Sequence, residues 1–371
     1  MNIVISNSRA SYYIGGTEVV SMHQAIWLAK AGHSIRYIIR EVDDELLSGY
    51  FQDFLQKIST ESLSINVERV PVAGPFGDGI SWDIWDKEAQ LFGISAQDTY
   101  LDSVAWADLM VTHMSTDAIY IPKGVPHCLH LHGTPKNRSA IIDQAMGYPS
   151  YTIAHSTSIY DWWHNHYPDT PMEVFRNGVP VDTFYEAIEA DRPIDILYVG
   201  RILKHKGIED ILLAADPKQR IVIAGKGHPK AVARLKAIAS DRKLQVLFVN
   251  SPNNKTLVNL YKDSKIFACP SRGKEGVLTT MLEAGAAGCA VVTTSGSGMT
   301  DLAVHNSNSL IVAPGNTKEL RESFARLLHN KGTRLRLAKS MQDTIAKNWS
   351  WKFRIKQLEG IYDRASNFSI S

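Results

Sequence analysis

Short apolar runs alternate with longer amphipathic stretches along most of this chain. A short run that is apolar throughout suits a strand covered on both faces. The amphipathic stretches between such runs predict crossover helices. The first series places strands at 2–6, 34–39, 109–113, 127–132 and 151–155, with a helix at 17–31 that ends at Gly32. The second places strands at 195–199, 220–224, 245–249, 266–270 and 290–293, separated by helices at 207–215, 230–241, 255–263 and 279–287, with another at 318–329. This alternation predicts an α/β protein built from parallel sheets. Pro171, Pro180 and Pro193 fall between the two series. The reading is therefore two consecutive doubly wound units, 1–178 and 179–349, facing across a cleft. A last helix at 348–365, with Trp349 and Trp351 near its start, places 350–371 back on the first unit.

Composition narrows the class. The 371 residues, 44% apolar and 21% charged, suit two soluble globular domains and exclude collagen, coiled coil and disorder. Cys128, Cys269 and Cys289 are too few and too scattered for a disulfide scaffold, which predicts a reducing, cytoplasmic setting. The opening residues lack the pattern of a secretory leader, and no apolar run has the length of a transmembrane helix. Charge is uneven. Residues 1–180 hold 11 Lys and Arg against 20 Asp and Glu, a net −9, whereas the remainder is net +11. A basic half suits a phosphorylated small molecule, nucleic acid or an anionic membrane. Here the basic residues are dispersed and no reader motif accompanies them, which argues against nucleic acid.

Three loops carry candidate chemistry. Gly15-Gly16 lies between the first predicted strand and helix, where backbone amides are open to an anion. Arg201 and Lys206 share the loop after the strand at 195–199. An Arg fork and a Lys point charge beside a helix N-terminus suit a diphosphate. Glu275 and Glu283 are eight residues apart, with Glu275 in a loop and Glu283 expected two turns into the following helix. That spacing spans about 12 Å if helical, which suits two hydroxyl-bearing parts of one extended ligand. It exceeds the separation of roughly 5–9.5 Å in the carboxylate pairs of glycosidases. Cys128, His130 and His132 alternate along one predicted strand. Three ligands from one strand diverge from a tetrahedral centre, so a core role for His130 is favoured over zinc. No glycine loop completes the Gly-x-Gly-x-x-Gly of a nicotinamide-dependent oxidoreductase, since Gly225-Lys226-Gly227 runs on into His228-Pro229-Lys230.

Taken in order, Gly15-Gly16, His132-Gly133, Asn177-Gly178, Gly200-Arg201 with Lys206-Gly207, Gly225-Lys226-Gly227, and Pro270-Ser271 followed by Glu275 and Glu283 resemble glycosyltransferase family 4. The similarity runs over nearly the whole chain, including Asn308–Val312 and the tryptophan-bearing last helix. It implies a GT-B fold and a retaining, hexosyltransferase-type enzyme. It also implies acceptor binding in the N-terminal domain and nucleotide-sugar binding in the C-terminal one. By this resemblance Arg201 and Lys206 neutralise the donor diphosphate, Glu275 holds the transferred sugar, and Glu283 holds the ribose. The amides of Gly276, Val277 and Leu278 face sugar and phosphate, Gly15 and Gly16 close on the phosphates, and His132 stands beside the reacting sugar.

The donor expected is a UDP-sugar first and a GDP-sugar second, with no metal and no cofactor. Val277 and Leu278 replace the family's usual aromatic and glycine, and Thr300-Asp301 replaces a common Pro-Glu pair. The rival reading with the same donor site is an epimerase, a hydrolase or a binding-only relative. An acidic N-terminal half predicts at most weak membrane association and an acceptor that is a saccharide or small polar metabolite, with a lipid-linked saccharide second. Trp82, Trp85, Trp106, Trp162 and Trp163 are candidate stacking surfaces, with core packing as the alternative for most.

Overall fold

The computed structural model describes residues 1–73, 82–113, 115–135, 138–188, 191–273, 275–295 and 298–368. It divides into two compact units, Met1–Arg176 with Arg354–Ser371, and Asn177–Phe353.

The first unit is a parallel sheet wrapped by helices. Its elements in chain order are β1 (Asn2–Ser6), α1 (Gly16–Lys30), β2 (Ser34–Arg40), α2 (Gly49–Thr60), β3 (Ile65–Val70), α3 (Trp82–Ser95), α4 (Gln97–Val104), β4 (Leu109–Thr112), β5 (His127–Leu131), α5 (Ala140–Ala145), β6 (Tyr151–Ala154), α6 (Thr157–His166) and β7 (Met172–Val174). The strand order is β3-β2-β1-β4-β5-β6-β7, and every pairing is parallel. Val4, Ile38 and Met110 pack in one apolar cluster, and Leu129, Leu131 and Ala154 in another. Ser48, Ser139 and Ser156 cap α2, α5 and α6 through their hydroxyls, satisfying amides that the helices leave open.

The second unit repeats the plan. It runs through α7 (Val181–Phe184), β8 (Ile194–Val199), α8 (Ile208–Ala214), β9 (Arg220–Ala224), α9 (Pro229–Asp241), β10 (Gln245–Val249), α10 (Asn254–Lys262), β11 (Ser264–Cys269), α11 (Thr279–Ala286), β12 (Ala290–Thr294), β13 (Ser309–Val312), α12 (Thr317–His329) and α13 (Lys331–Asn348). Its strand order is β10-β9-β8-β11-β12-β13, again parallel throughout. Alternate residues of β8 and β9 enter opposite clusters. Ile196, Tyr198, Ile221 and Ile223 face one side, and Leu197, Val199, Val222 and Ala224 the other. Two covered faces are why these strands read as unbroken apolar runs.

The last helix, α14 (Trp351–Ser366), starts in the second unit and belongs to the first from Arg354 onward. There Arg364 grips Glu173 with two hydrogen bonds of 2.8 Å, and buried Tyr362 bonds His130. The chain departs from the sequence reading at several places, and the helices α2 to α7 were not placed in it. Trp349 closes α13 rather than opening the last helix, and α13 itself was not predicted. The strands β3, β7 and β13 were not placed; in β3 and β7 charged residues, Glu68 with Arg69 and Glu173, break the apolar run. Among the described residues no helix is long and apolar enough to cross a membrane.

Gly207 couples two loops of the second sheet. It has φ 71°, in the left-handed region, and a Cβ there would lie 2.0 Å from the Pro270 carbonyl oxygen. Gly207→Ala adds left-handed strain to a backbone clash and is expected to destabilise the second unit by at least about 2 kcal/mol. That corresponds to a fall of roughly 4–8 °C in its melting midpoint by calorimetry. Gly16→Ala, at a position where a Cβ meets nothing within 4 Å, is the control that leaves the midpoint in place.

Candidate active site

In an open parallel sheet, adjacent strands whose connections leave in opposite directions open a crevice at their carboxyl ends. In the second unit this occurs between β8 and β11. The loop after β8 carries Arg201, His205 and Lys206, and the loop after β11 carries Ser271 and Glu275.

The structure joins these loops through one carboxylate oxygen. Glu275 Oε1 receives Lys206 Nζ at 2.8 Å, the Ser271 hydroxyl at 3.0 Å and His205 Nε2 at 3.4 Å. Burial works against its ionisation, but His205 and Lys206 outweigh that cost and hold its pKa down at about 2. Glu275 is therefore a carboxylate at neutral pH. All three contacts are made by Oε1, which leaves Oε2 as a further charged acceptor for a ligand. Arg201 lies on the same loop, where its carbonyl accepts the Tyr198 hydroxyl at 2.8 Å. Tyr198 feels the charges of both Glu275 and Arg201. Gly276, Val277 and Leu278 lead into α11, whose N-cap, Leu278, supplies no side-chain acceptor for the first-turn amides.

Glu283 behaves oppositely. It is buried, and its Oε2 accepts the Tyr261 hydroxyl at 2.7 Å. Burial pushes its pKa up to about 7, with the Tyr261 hydrogen bond opposing. The expected placement needs correction. Because α11 begins at Thr279, Glu283 is one turn in, and Glu275 precedes the helix altogether. The two carboxylates are thus held by a loop and by a helix, not by one helical face.

In the first unit Gly15 caps α1, and a Cβ there would come within 2.5 Å of Glu18 Oε2. Glu18 is buried against Arg9 in an ion pair of 3.3 Å. His132 lies just past β5, inside a group of four histidines. Its Nε2 is 2.9 Å from Nδ1 of His113, and its ring stacks on His155 with centroids 4.2 Å apart. His130 Nδ1 is 3.0 Å from His155 Nε2, and His130 Nε2 is 2.9 Å from the Tyr362 hydroxyl. Burial and mutual repulsion hold His113, His130 and His132 well below the usual histidine range, and burial brings His155 down to about 3.

The alternating trio Cys128, His130 and His132 does not form one group. Instead His113, from the end of β4, joins His130 and His132, each offering one ring nitrogen within 4.8 Å of the others. A tetrahedral zinc with bonds of 2.0–2.1 Å needs nitrogens only about 3.4 Å apart. Here the rings bond one another and Tyr362 instead.

The sequence reading did not single out His205, Ser271, Tyr261, His113 or His155 as site residues. His205 and Ser271 stand inside quoted motifs, whereas Tyr261, His113 and His155 reach their partners only through strand pairing and helix packing. Of the candidate tryptophans, Trp163 is core, with Nε1 donating to the Gly133 carbonyl at 2.8 Å. Trp162 packs against that core, and Arg36 lies over Trp106. The side chains of Trp82 and Trp85, like Gly296 and Ser297 ahead of Thr300-Asp301, lie outside the described residues.

Residues 183–344 match the family described as glycosyl transferases group 1. An uncharacterized glycosyltransferase of Methanocaldococcus jannaschii is 22% identical over 58% of this chain and 59% of its own length. This chain thus spans little more than half of that relative. Over 98% of both chains, the sucrose-phosphate synthase of Thermosynechococcus elongatus superposes with a TM-score of 0.80 at 17% identity. HepE of Anabaena, solved in complex with UDP-glucose, superposes with a TM-score of 0.77 at 16% identity over 98% of this chain and 99% of its own.

The raised pKa of Glu283 has a consequence for stability. Between about pH 4.5 and 7 the native state keeps a proton that the unfolded chain releases, so stability falls as pH rises through that window. Glu283→Gln keeps an acceptor for Tyr261 and removes the buried charge. At pH 8 the variant is expected to be about 1–3 kcal/mol more stable than the parent, with the gap closing by pH 4.5. Equal melting midpoints of the two proteins at pH 8 would contradict the buried, strained carboxylate.

Proposed function

Because residues 183–344 belong to the glycosyl transferases group 1 and the fold is GT-B, we propose that this protein is a retaining glycosyltransferase. It moves a sugar from a nucleoside diphosphate sugar to a saccharide or small polar acceptor. The observation that carries this is the ionised Glu275, held by Lys206 beside the β8–β11 crevice with one oxygen left over. A lysine bonded to a carboxylate beside a loop arginine and an uncapped helix start suits a ligand with hydroxyls and anionic phosphates in series.

The roles follow from chemistry. Lys206 and Arg201 take the diphosphate, with Lys206 also holding Glu275 in place. Glu275 Oε2 accepts sugar hydroxyls, and Glu283 accepts ribose hydroxyls. The amides of Gly276–Leu278 face sugar and phosphate, and Gly15 and Gly16 leave room for the phosphates. In the transfer the acceptor oxygen bonds the anomeric carbon on the face the diphosphate leaves, and the acceptor proton passes to the departing phosphate oxygen. The two cations and the helix amides stabilise the leaving charge, a task that elsewhere falls to a metal ion. The UDP-glucose bound to HepE supports uridine as the first base to try, with guanosine second. The acidic first half supports a neutral or cationic acceptor, with a lipid-linked saccharide second.

Two measurements test this. Lys206→Ala removes a charge-assisted partner of the diphosphate, so UDP affinity should fall by about 1.5–3 kcal/mol, roughly 10- to 150-fold. Unchanged UDP affinity by calorimetry refutes the assignment. Transfer from an α-linked sugar nucleotide should continue in excess chelator and give an α-linkage by proton NMR of the product. Turnover that returns only with added manganese or magnesium, or a β-linked product, overturns the mechanism.

A further inference from the structure

The histidine group contains more order than a buried cluster needs, and its hydrogen bonds can be followed atom by atom. The Phe175 carbonyl only accepts, so His155 carries its proton on Nδ1, 3.1 Å away. A neutral His155 then accepts at Nε2, and the donor there is Nδ1–H of His130 at 3.0 Å; the Gln24 amide, 3.4 Å from the same nitrogen with its Oε1 otherwise unpartnered, then presents that oxygen rather than its NH2 to His130. The remaining nitrogen of His130, Nε2, accepts the Tyr362 hydroxyl proton. One chain of bonds thus fixes two rings, each with a single proton.

The contact between His113 Nδ1 and His132 Nε2 has two possible directions. If His132 donated, His113 would keep its own proton on Nε2. That atom is buried and has no partner among the described residues. An orphaned buried N–H is rarer than an under-used acceptor. The opposite direction leaves His113 Nε2 as a bare lone pair and moves the His132 proton to Nδ1. His132 is only half-buried, and among the described residues its Nδ1 has no hydrogen-bond partner.

We infer that His113 is a positioning residue for His132. Its Nδ1–H donates to His132 Nε2, fixes His132 as the Nδ1–H tautomer, and makes the outward atom of His132 a hydrogen-bond donor. Stacking on His155, with centroids 4.2 Å apart, holds the ring plane. On the proposed transferase reading, His132 then donates to an oxygen of the sugar or to charge growing beside it. It takes no proton from the acceptor, because its only other nitrogen is occupied.

Nitrogen-15 NMR of histidine-labelled protein reads this directly, without any assay. Wild-type His132 should show a protonated Nδ1 and an unprotonated Nε2. A protonated Nε2, or protons on both nitrogens, overturns the inference. His113→Leu should abolish that single tautomer and lower kcat about tenfold or more, with the donor KM changed less than about threefold. His113→Asn, which keeps a donor the same distance from the backbone, should restore both the tautomer and most of the turnover. A Leu variant with the wild-type tautomer and turnover also overturns it. Should the Leu variant fail to fold, the wild-type spectrum still decides. The tautomer pattern without any detectable transfer fails the transferase reading while upholding the role of His113.

Discussion

The pairing of β8 with β11 is the constraint on which the candidate site rests. These strands are neighbours in the sheet but not in sequence, and their following connections diverge. Only such an arrangement lets the loops after both strands converge with nothing between them. Lys206 and Glu275 meet at 2.8 Å for that reason. Gly207 is part of the same constraint, because any side chain there would push the Pro270 backbone, and with it the loop bearing Ser271 and Glu275, away from Lys206. A dispersed set of charges in the sequence thus becomes one electrostatic unit.

The first unit obeys the same geometry with different chemistry. There β1, β4 and β5 are consecutive in the sheet, and their carboxyl ends carry the Gly15-Gly16 loop, His113 and His132. Arg9 and Glu18 neutralise each other beneath the glycine loop. The histidines stay uncharged because they are buried against one another. Neutral rings suit hydrogen-bond direction more than charge. The second unit, with Arg201, Lys206 and Glu275, holds ions.

How much of this was legible follows from what a linear pattern encodes. The strands β1, β9 and β10 were read to the residue because short apolar runs bounded by polar ones have one plausible pairing mode. The strands β3 and β7 lack that signature because Glu68 with Arg69, and Glu173, interrupt them. Lys206 and Glu275 were legible because polar residues just after parallel strands collect at the carboxyl edge. Tyr261 was not, since its bond to Glu283 depends on how α10 lies against α11. His113 and His155 were missed for the same reason, because sheet order, not spacing, brings one to hydrogen-bond His132 and the other to stack on it. The start of α11 and the loop position of Glu275 were placed correctly, yet Glu283, the fifth residue of α11, lies one turn in rather than two.

The two glutamates of one short segment end in opposite states, and this separates what each can do. Glu275 meets a lysine, a histidine and a hydroxyl, and its pKa falls to about 2. It cannot deliver a proton at neutral pH, so general-acid chemistry is closed to it, while accepting hydrogen bonds stays open. Among the described residues Glu283 is hydrogen-bonded by a tyrosine hydroxyl alone, and burial raises its pKa to about 7. Near neutrality it exists in both forms, so it can accept from one hydroxyl or donate to another. Environments that drive two carboxylates apart in this way ordinarily mark an acid–base pair. Here the segment's geometry works against that pairing, because a loop holds one and a helix the other, and neither faces the second as a partner. The divergence suits two separate polar contacts better than one acid–base pair: an ion that only accepts, and a nearly neutral carboxyl that can accept or donate.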